Sequence, residues 1–129
     1  MTQTRPLDSA FVQETRELLE GLEALLLDLE TNPDPEAVDA VFRSLHTIKG
    51  GGGMFGYRTL SGFLHHFEDA FDKVREGKLA VSAGLVDVAL RARDLLSTML
   101  DCGPDGPAAT AFASSADSLA LLEIGRAHV

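Results

Sequence analysis

Apolar residues recur along this chain at three- and four-residue spacing, and nowhere alternate with period two, which predicts helices and no strands. From Ser9 to Glu30 the positions Phe11, Leu18, Leu22, Leu25, Leu26 and Leu29 fall on one face, with Glu and Arg opposite. Asn32-Pro33-Asp34-Pro35 ends that helix. Asp34 is a suitable N-cap and Pro35 a suitable first residue for a second helix, whose stripe is Val38, Val41, Phe42, Leu45 and Ile48. The clearest amphipathic segment follows, with Leu60, Phe63, Leu64, Phe67, Phe71 and Val74, and Gly77 as its C-terminal cap. Ser82 can cap a fourth helix bearing Leu85, Val88, Ala89, Ala92, Leu95, Leu96 and Met99, stopped by Asp101-Cys102-Gly103-Pro104. Phe112, Ala116, Leu119 and Leu122 suggest a weaker fifth helix. With short connections, the expected fold is all-α, an antiparallel up-and-down four-helix bundle with an additional C-terminal helix.

One stretch breaks the helical logic. His46-Thr47-Ile48-Lys49 runs straight into Gly50-Gly51-Gly52-Gly53 and then Met54-Phe55-Gly56-Tyr57. Each glycine in a helix interior costs about 1 kcal/mol relative to alanine, so four in a row require a reason of packing or access. Access to His46 is the reason favoured here, because Gly50 and Gly53 share its side of the wheel.

Composition narrows the function. The 129 residues are 45% hydrophobic with no long uncharged apolar run, which fits one globular domain. Twenty acidic against 11 basic residues, a formal charge of −9, disfavours nucleic acid and anionic membrane as partners and favours a basic or neutral protein face. Cys102 is the single cysteine, which excludes an internal disulfide, and the N-terminus lacks the pattern of a secretory signal; both suit the cytoplasm. The last seven residues, Glu123-Ile124-Gly125-Arg126-Ala127-His128-Val129, read as the translation of a common sequencing-library adapter. Residues 123–129 are therefore expected to be a non-native tail, with 1–122 as the domain and the chain as the front piece of a longer protein.

Three chemistries compete for the glycine region. A phosphate-binding loop requires Lys followed by Ser or Thr after its glycines, whereas Lys49 precedes them. A dinucleotide fingerprint requires a strand before the glycines, and here a helical stripe precedes them. A metal site can be imagined from His65 with Glu68 or Asp69, which share a helical face, together with His46. No second Glu-x-x-His motif accompanies it and the lone cysteine is distant, so metal ranks behind.

The acidic run Glu68, Asp69 and Asp72 is by default a solvated face. Phosphotransfer makes better use of the same residues. A phosphoryl-accepting histidine must be neutral, expose one ring nitrogen, and gain from a carboxylate that holds the proton on the other. Glu68 can supply the carboxylate if helix three packs on helix two. Lys49, one turn after His46, can offset incoming charge. A plain interaction bundle, in which the glycines only permit tight packing, is the alternative from another class.

The residues from Leu45 to Gly77 resemble the histidine phosphotransfer (HPt) domain family, in the subgroup at the N-terminus of CheA-type chemotaxis histidine kinases. His46-Thr-Ile-Lys-Gly-Gly-Gly-Gly-Met-Phe-Gly-Tyr57 is similar to that subgroup's His-Ser-Ile-Lys-Gly-Gly-Ala-Gly-Thr-Phe-Gly-Phe, and His65-x-x-Glu68 fits the next helix. The differences are small: Gly52 stands where Ala is usual, Met54 where Thr or Ser is usual, and the fifth helix is truncated. The resemblance implies His46 as phosphoacceptor through Nε2, Glu68 as partner of its Nδ1, and Lys49 and His65 as charge-tuning residues. It further implies a phosphoryl donor in the ATP-binding domain of a CheA-type kinase, acting in trans, and response regulators of the CheY or CheB type as acceptors. The piece itself would be a monomeric carrier with no cofactor of its own, ATP being used by the parent's kinase domain.

Overall fold

The computed structural model describes residues 6–102. The described residues form four helices in chain order: α1 Pro6–Thr31, α2 Pro35–Met54, α3 Arg58–Arg75 and α4 Ala83–Cys102. They pack as a ring of antiparallel neighbours, α1 on α2, α2 on α3, α3 on α4, and α4 back on α1. The bundle expected from the periodicity is therefore present. The fifth helix around Phe112–Leu122 and the tail at 123–129 lie outside the described residues.

The caps act as their residue types dictate. Asp34 accepts a hydrogen bond from the Ala37 amide at 2.8 Å, with Pro35 at the first helical position. The Leu85 amide donates to Ser82 Oγ at 3.1 Å to open α4. Both α2 and α3 end in a left-handed glycine, Gly56 at φ +81° and Gly77 at φ +77°. At each, the amide two residues past the cap reaches back to a carbonyl in the last turn, Tyr57 to Gly52 at 2.8 Å and Lys78 to Lys73 at 2.9 Å. This is the Schellman closure that a residue with a Cβ disfavours. Helix α1 opens three residues earlier than Ser9 because Pro6 is preorganised for a first helical position.

The core is broader than the stripes read from the sequence. Leu19 and Val86 are buried, whereas Leu18, Leu25, Phe42 and Val88 are half-buried at its margin. Each helix lies between two neighbours, so its buried sector spans two contact lines rather than one. Phe67 and Phe71 of α3 are fully buried at the centre. At the α2–α3 corner, Phe11 of α1 stacks on Phe55 and tilts against Tyr57, each at 4.9 Å between centroids. This aromatic cluster closes the end of the bundle next to the glycine run. Among the described residues no helix is long and apolar enough to cross a membrane.

Candidate phosphotransfer site

His46 lies on the exposed side of α2, just off the stripe formed by Leu45 and Ile48, which are buried. Its side chain is 67% exposed, and Nδ1 lies 3.2 Å from Glu68 Oε2 on α3. The other oxygen of Glu68, Oε1, is 2.7 Å from Lys49 Nζ. Histidine and lysine, one turn apart on α2, thus grip the two oxygens of one carboxylate on α3.

Glu68 is only 8% exposed, which corrects the expectation that Glu68, Asp69 and Asp72 form a solvated acidic face. Asp69 is exposed and Asp72 is at the edge, but Glu68 is buried where α3 meets His46 and Lys49 of α2. A carboxylate can be buried there because Oε2 meets the His46 ring nitrogen and Oε1, though without hydrogen-bond geometry, is close enough to the Lys49 ammonium for an ion pair. Burial alone pushes its carboxyl pKa up; the polar contacts with Lys49 and His46, with their charges, outweigh burial and hold it below the ordinary value. Glu68 therefore stays ionised and accepts from Nδ1–H, which leaves the lone pair on Nε2.

The glycines divide into two pairs. A Cβ on Gly50 would meet nothing within 4 Å, and one on Gly53 would meet only Ser61 Oγ at 4.0 Å. A Cβ on Gly51 would lie 2.9 Å from Phe11 Cε1, and one on Gly52 would lie 2.8 Å from Ser61 Oγ and 3.4 Å from Leu60 Cδ2. Gly50 and Gly53 thus clear the surface on the His46 side, as expected, while Gly51 and Gly52 admit α1 and α3. The run combines open surface at Gly50 and Gly53 with close helix contact at Gly51 and Gly52.

His65 is not brought to the ring of His46. It is exposed on α3, with Nε2 3.6 Å from Asp69 Oδ2 and its ring edge-on to His66 at 5.9 Å. Among the described residues no three His, Cys, Asp or Glu side chains are grouped to hold a metal ion. Among the described residues one cavity lies near Pro33, Val38 and Leu79 and another near Phe11, Thr47 and Met54, and His46 lines neither of these. A histidine ring on an open surface is placed to meet a macromolecule rather than a small molecule in a pocket.

Two participants escaped the sequence reading. Ser61 Oγ donates to the Lys49 carbonyl at 3.3 Å, using the space that Gly52 leaves. Phe42, assigned to the apolar stripe, carries the His46 ring nearly parallel to its own. The i−4 spacing from His46 was the available signal for the second; the first depends on a contact between helices.

A sequence profile described as the Hpt domain matches residues 7–101. The chain is 43% identical to the chemotaxis protein CheA of Rhizobium meliloti (strain 1021) over 97 residues, covering 74% of this chain and 13% of that protein. It is 33% identical to CheA of Salmonella typhimurium over 117 residues, covering 88% of this chain and 17% of that protein. Its fold matches the crystal structure of the phosphorylated P1 domain of CheA3 in complex with CheY6 from R. sphaeroides, with a TM-score of 0.72 and 27% identity over 94% of this chain and 93% of that one. The chain thus spans 13% to 17% of the length of these two CheA relatives.

Proposed function

The chain belongs to the Hpt domain family, and from that premise we propose that it is the phosphoryl carrier of a chemotaxis-type phosphorelay, with His46 as the acceptor. The observation that carries the reading is the pairing of an exposed His46 ring with a buried, ionised Glu68 on its Nδ1. In the loading step the Nε2 lone pair attacks the γ-phosphorus of ATP held by a CheA-type kinase domain. The N–P bond forms as the bond from phosphorus to the bridging oxygen of ADP breaks. The proton on Nδ1 stays in place, and the positive charge that develops on the ring is met by Glu68. Lys49 holds Glu68 in position and offers a cation one turn from the arriving phosphoryl oxygens.

In the unloading step a carboxylate oxygen of a response-regulator aspartate attacks the same phosphorus. The N–P bond breaks, and the electron pair returns to Nε2 as the acyl phosphate forms. The similarity to a phosphorylated P1 domain in complex with CheY6 supports a regulator of this kind as receiver. His65, one turn before Glu68 and beside Asp69 at 3.6 Å, is assigned its charge-tuning role from the family pattern alone. The function is placed in the cytoplasm, where ATP and such regulators are found.

The test is direct. Incubated with a chemotaxis-type kinase core and labelled ATP, the chain should take up one phosphoryl group, and His46→Gln should take up none. The label should be lost in mild acid and survive base, as a phosphoramidate is. Label that persists in His46→Gln, or that resists acid as a phosphoserine does, would overturn the carrier reading and leave the interaction bundle.

A further inference from the structure

Glu68 restrains His46 at one ring atom. A ring so exposed can still tip about its Nδ1 hydrogen bond, and tipping swings Nε2. The remaining restraint comes from the turn before. Side chains on an α-helix lean toward its N-terminus, so a residue covers the one four positions earlier. For His46 that residue is Phe42, and the two rings lie 10° from parallel with centroids 6.4 Å apart. Phe42 is itself held from α3, where the Arg75 guanidinium lies 4.2 Å from its ring centroid. Arg75 in turn is tied to Asp39 on α2 at 3.5 Å and to Asp72 on α3 at 3.7 Å. Guanidinium, benzene ring and imidazole follow one another along the α2–α3 seam and end at the proposed acceptor.

We propose that Phe42, clamped by Arg75, is a positioning residue for phosphoryl transfer, fixing the plane of the His46 imidazole so that Nε2 keeps one line of approach to phosphorus. The inference rests on the carrier reading of His46. Displacement at phosphorus requires attacking and leaving atoms roughly in line. A displacement of about 1 Å at a reacting atom costs on the order of 100-fold in a well-organised site. Here the restraint is partly exposed, so about a tenth of that penalty is expected. Neither Phe42 nor Arg75 touches the phosphoryl group; both act through the ring.

The experiment compares the full chain with Phe42→Leu, Phe42→Tyr and Arg75→Gln, each checked for helicity and each presented to a chemotaxis-type kinase core with ATP. Leucine keeps the apolar contact and removes the ring face. Phe42→Leu should lower kcat for phosphorylation of the chain about 10-fold while KM for the chain moves less than roughly two-fold. Phe42→Tyr should retain most of the rate, and Arg75→Gln should fall between the two. Independently of any kinase, NMR relaxation of the His46 ring carbons should show a lower order parameter in Phe42→Leu than in the parent chain. An unchanged kcat in Phe42→Leu, an equal loss in Phe42→Tyr, or an unchanged ring order parameter would each overturn the positioning role. Failure of the parent chain to take label would instead overturn the carrier reading, and the NMR comparison would still decide whether Phe42 orders the ring.

Discussion

A side chain at Gly51 or Gly52 would collide with α1 or α3, whereas one at Gly50 or Gly53 would enter open space. The two pairs are adjacent in sequence, identical in residue type and equal in their expected helix penalty, yet they face different problems because α2 turns about 100° per residue. The inner pair lets Phe11 and Ser61 approach the α2 backbone. The outer pair keeps the surface near His46 bare. A substitution that adds bulk should therefore damage the fold at one pair and the chemistry at the other.

The largest effect is expected at Gly51. Leucine there must displace Phe11, whose ring is already packed at 4.9 Å against both Phe55 and Tyr57. Overpacking of this kind costs about 1–3 kcal/mol or more, against a propensity gain of somewhat under 1 kcal/mol. Gly51→Leu should thus lose about 2 kcal/mol in urea titration with little change in slope. A loss below about 0.5 kcal/mol, within the range of ordinary surface substitutions, would mean that Phe11 yields freely and that the inner pair is not a packing device.

Glu68→Gln should separate rate from fold. The amide still accepts a hydrogen bond from Nδ1, but it offers no negative charge to the ring or to Lys49. Phosphorylation of His46 should slow by about 10- to 100-fold, by analogy with carboxylates that orient metal-binding histidines, with helical content intact. An unchanged rate would remove Glu68 from the site.

Gly50→Leu is the counterpart of the first substitution. With nothing within 4 Å of the added Cβ, the helix should gain stability by a few tenths to about 1 kcal/mol. Phosphorylation should nevertheless fall by about 10-fold, equivalent to about 1.4 kcal/mol, because the new side chain stands on the same face as His46, one turn on. A stabilised chain that is phosphorylated at the full rate would show that access never depended on the outer pair.

The division of the glycines also marks where sequence reasoning stops. Four helices and the caps at Asp34, Ser82 and Gly77 were legible, because periodicity and cap chemistry are local signals, and Glu68 opposite His46 followed on the condition that α3 packs on α2, whereas the Lys49–Glu68 ion pair did not. The burial of Glu68 was not legible from composition, since a carboxylate among Asp69 and Asp72 reads as solvated until its cationic partners on the facing helix are known. The displacement of Leu18 and Leu25 by Leu19 as a core residue came from α1 lying between two neighbours. Phe11 against Gly51, and Ser61 under Gly52, depend on how helices distant in sequence dock, which no local pattern encodes. His65 shows the opposite case, in which a motif position was readable but the side chain turns to Asp69 instead of the site.

The smallest effect is expected from acid, and it isolates the buried carboxylate from the surface ones. Glu68 has its folded pKa held below its unfolded value of about 4.3. A group of that kind binds fewer protons folded than unfolded, so its stabilising contribution is full above the unfolded pKa and is lost as pH falls through the lowered folded value. Glu68→Gln has no proton to bind at this position. The stability difference between the parent chain and Glu68→Gln should therefore move against the parent chain as pH falls below about 5. Gly50→Leu, which leaves the Lys49–Glu68–His46 contacts untouched, should follow the parent's acid profile. If the difference from Glu68→Gln stayed flat down to about pH 3, below the unfolded carboxylate range, Glu68 would be no better partnered in the fold than in the unfolded chain, and the charge grip on which the site is built would be lost.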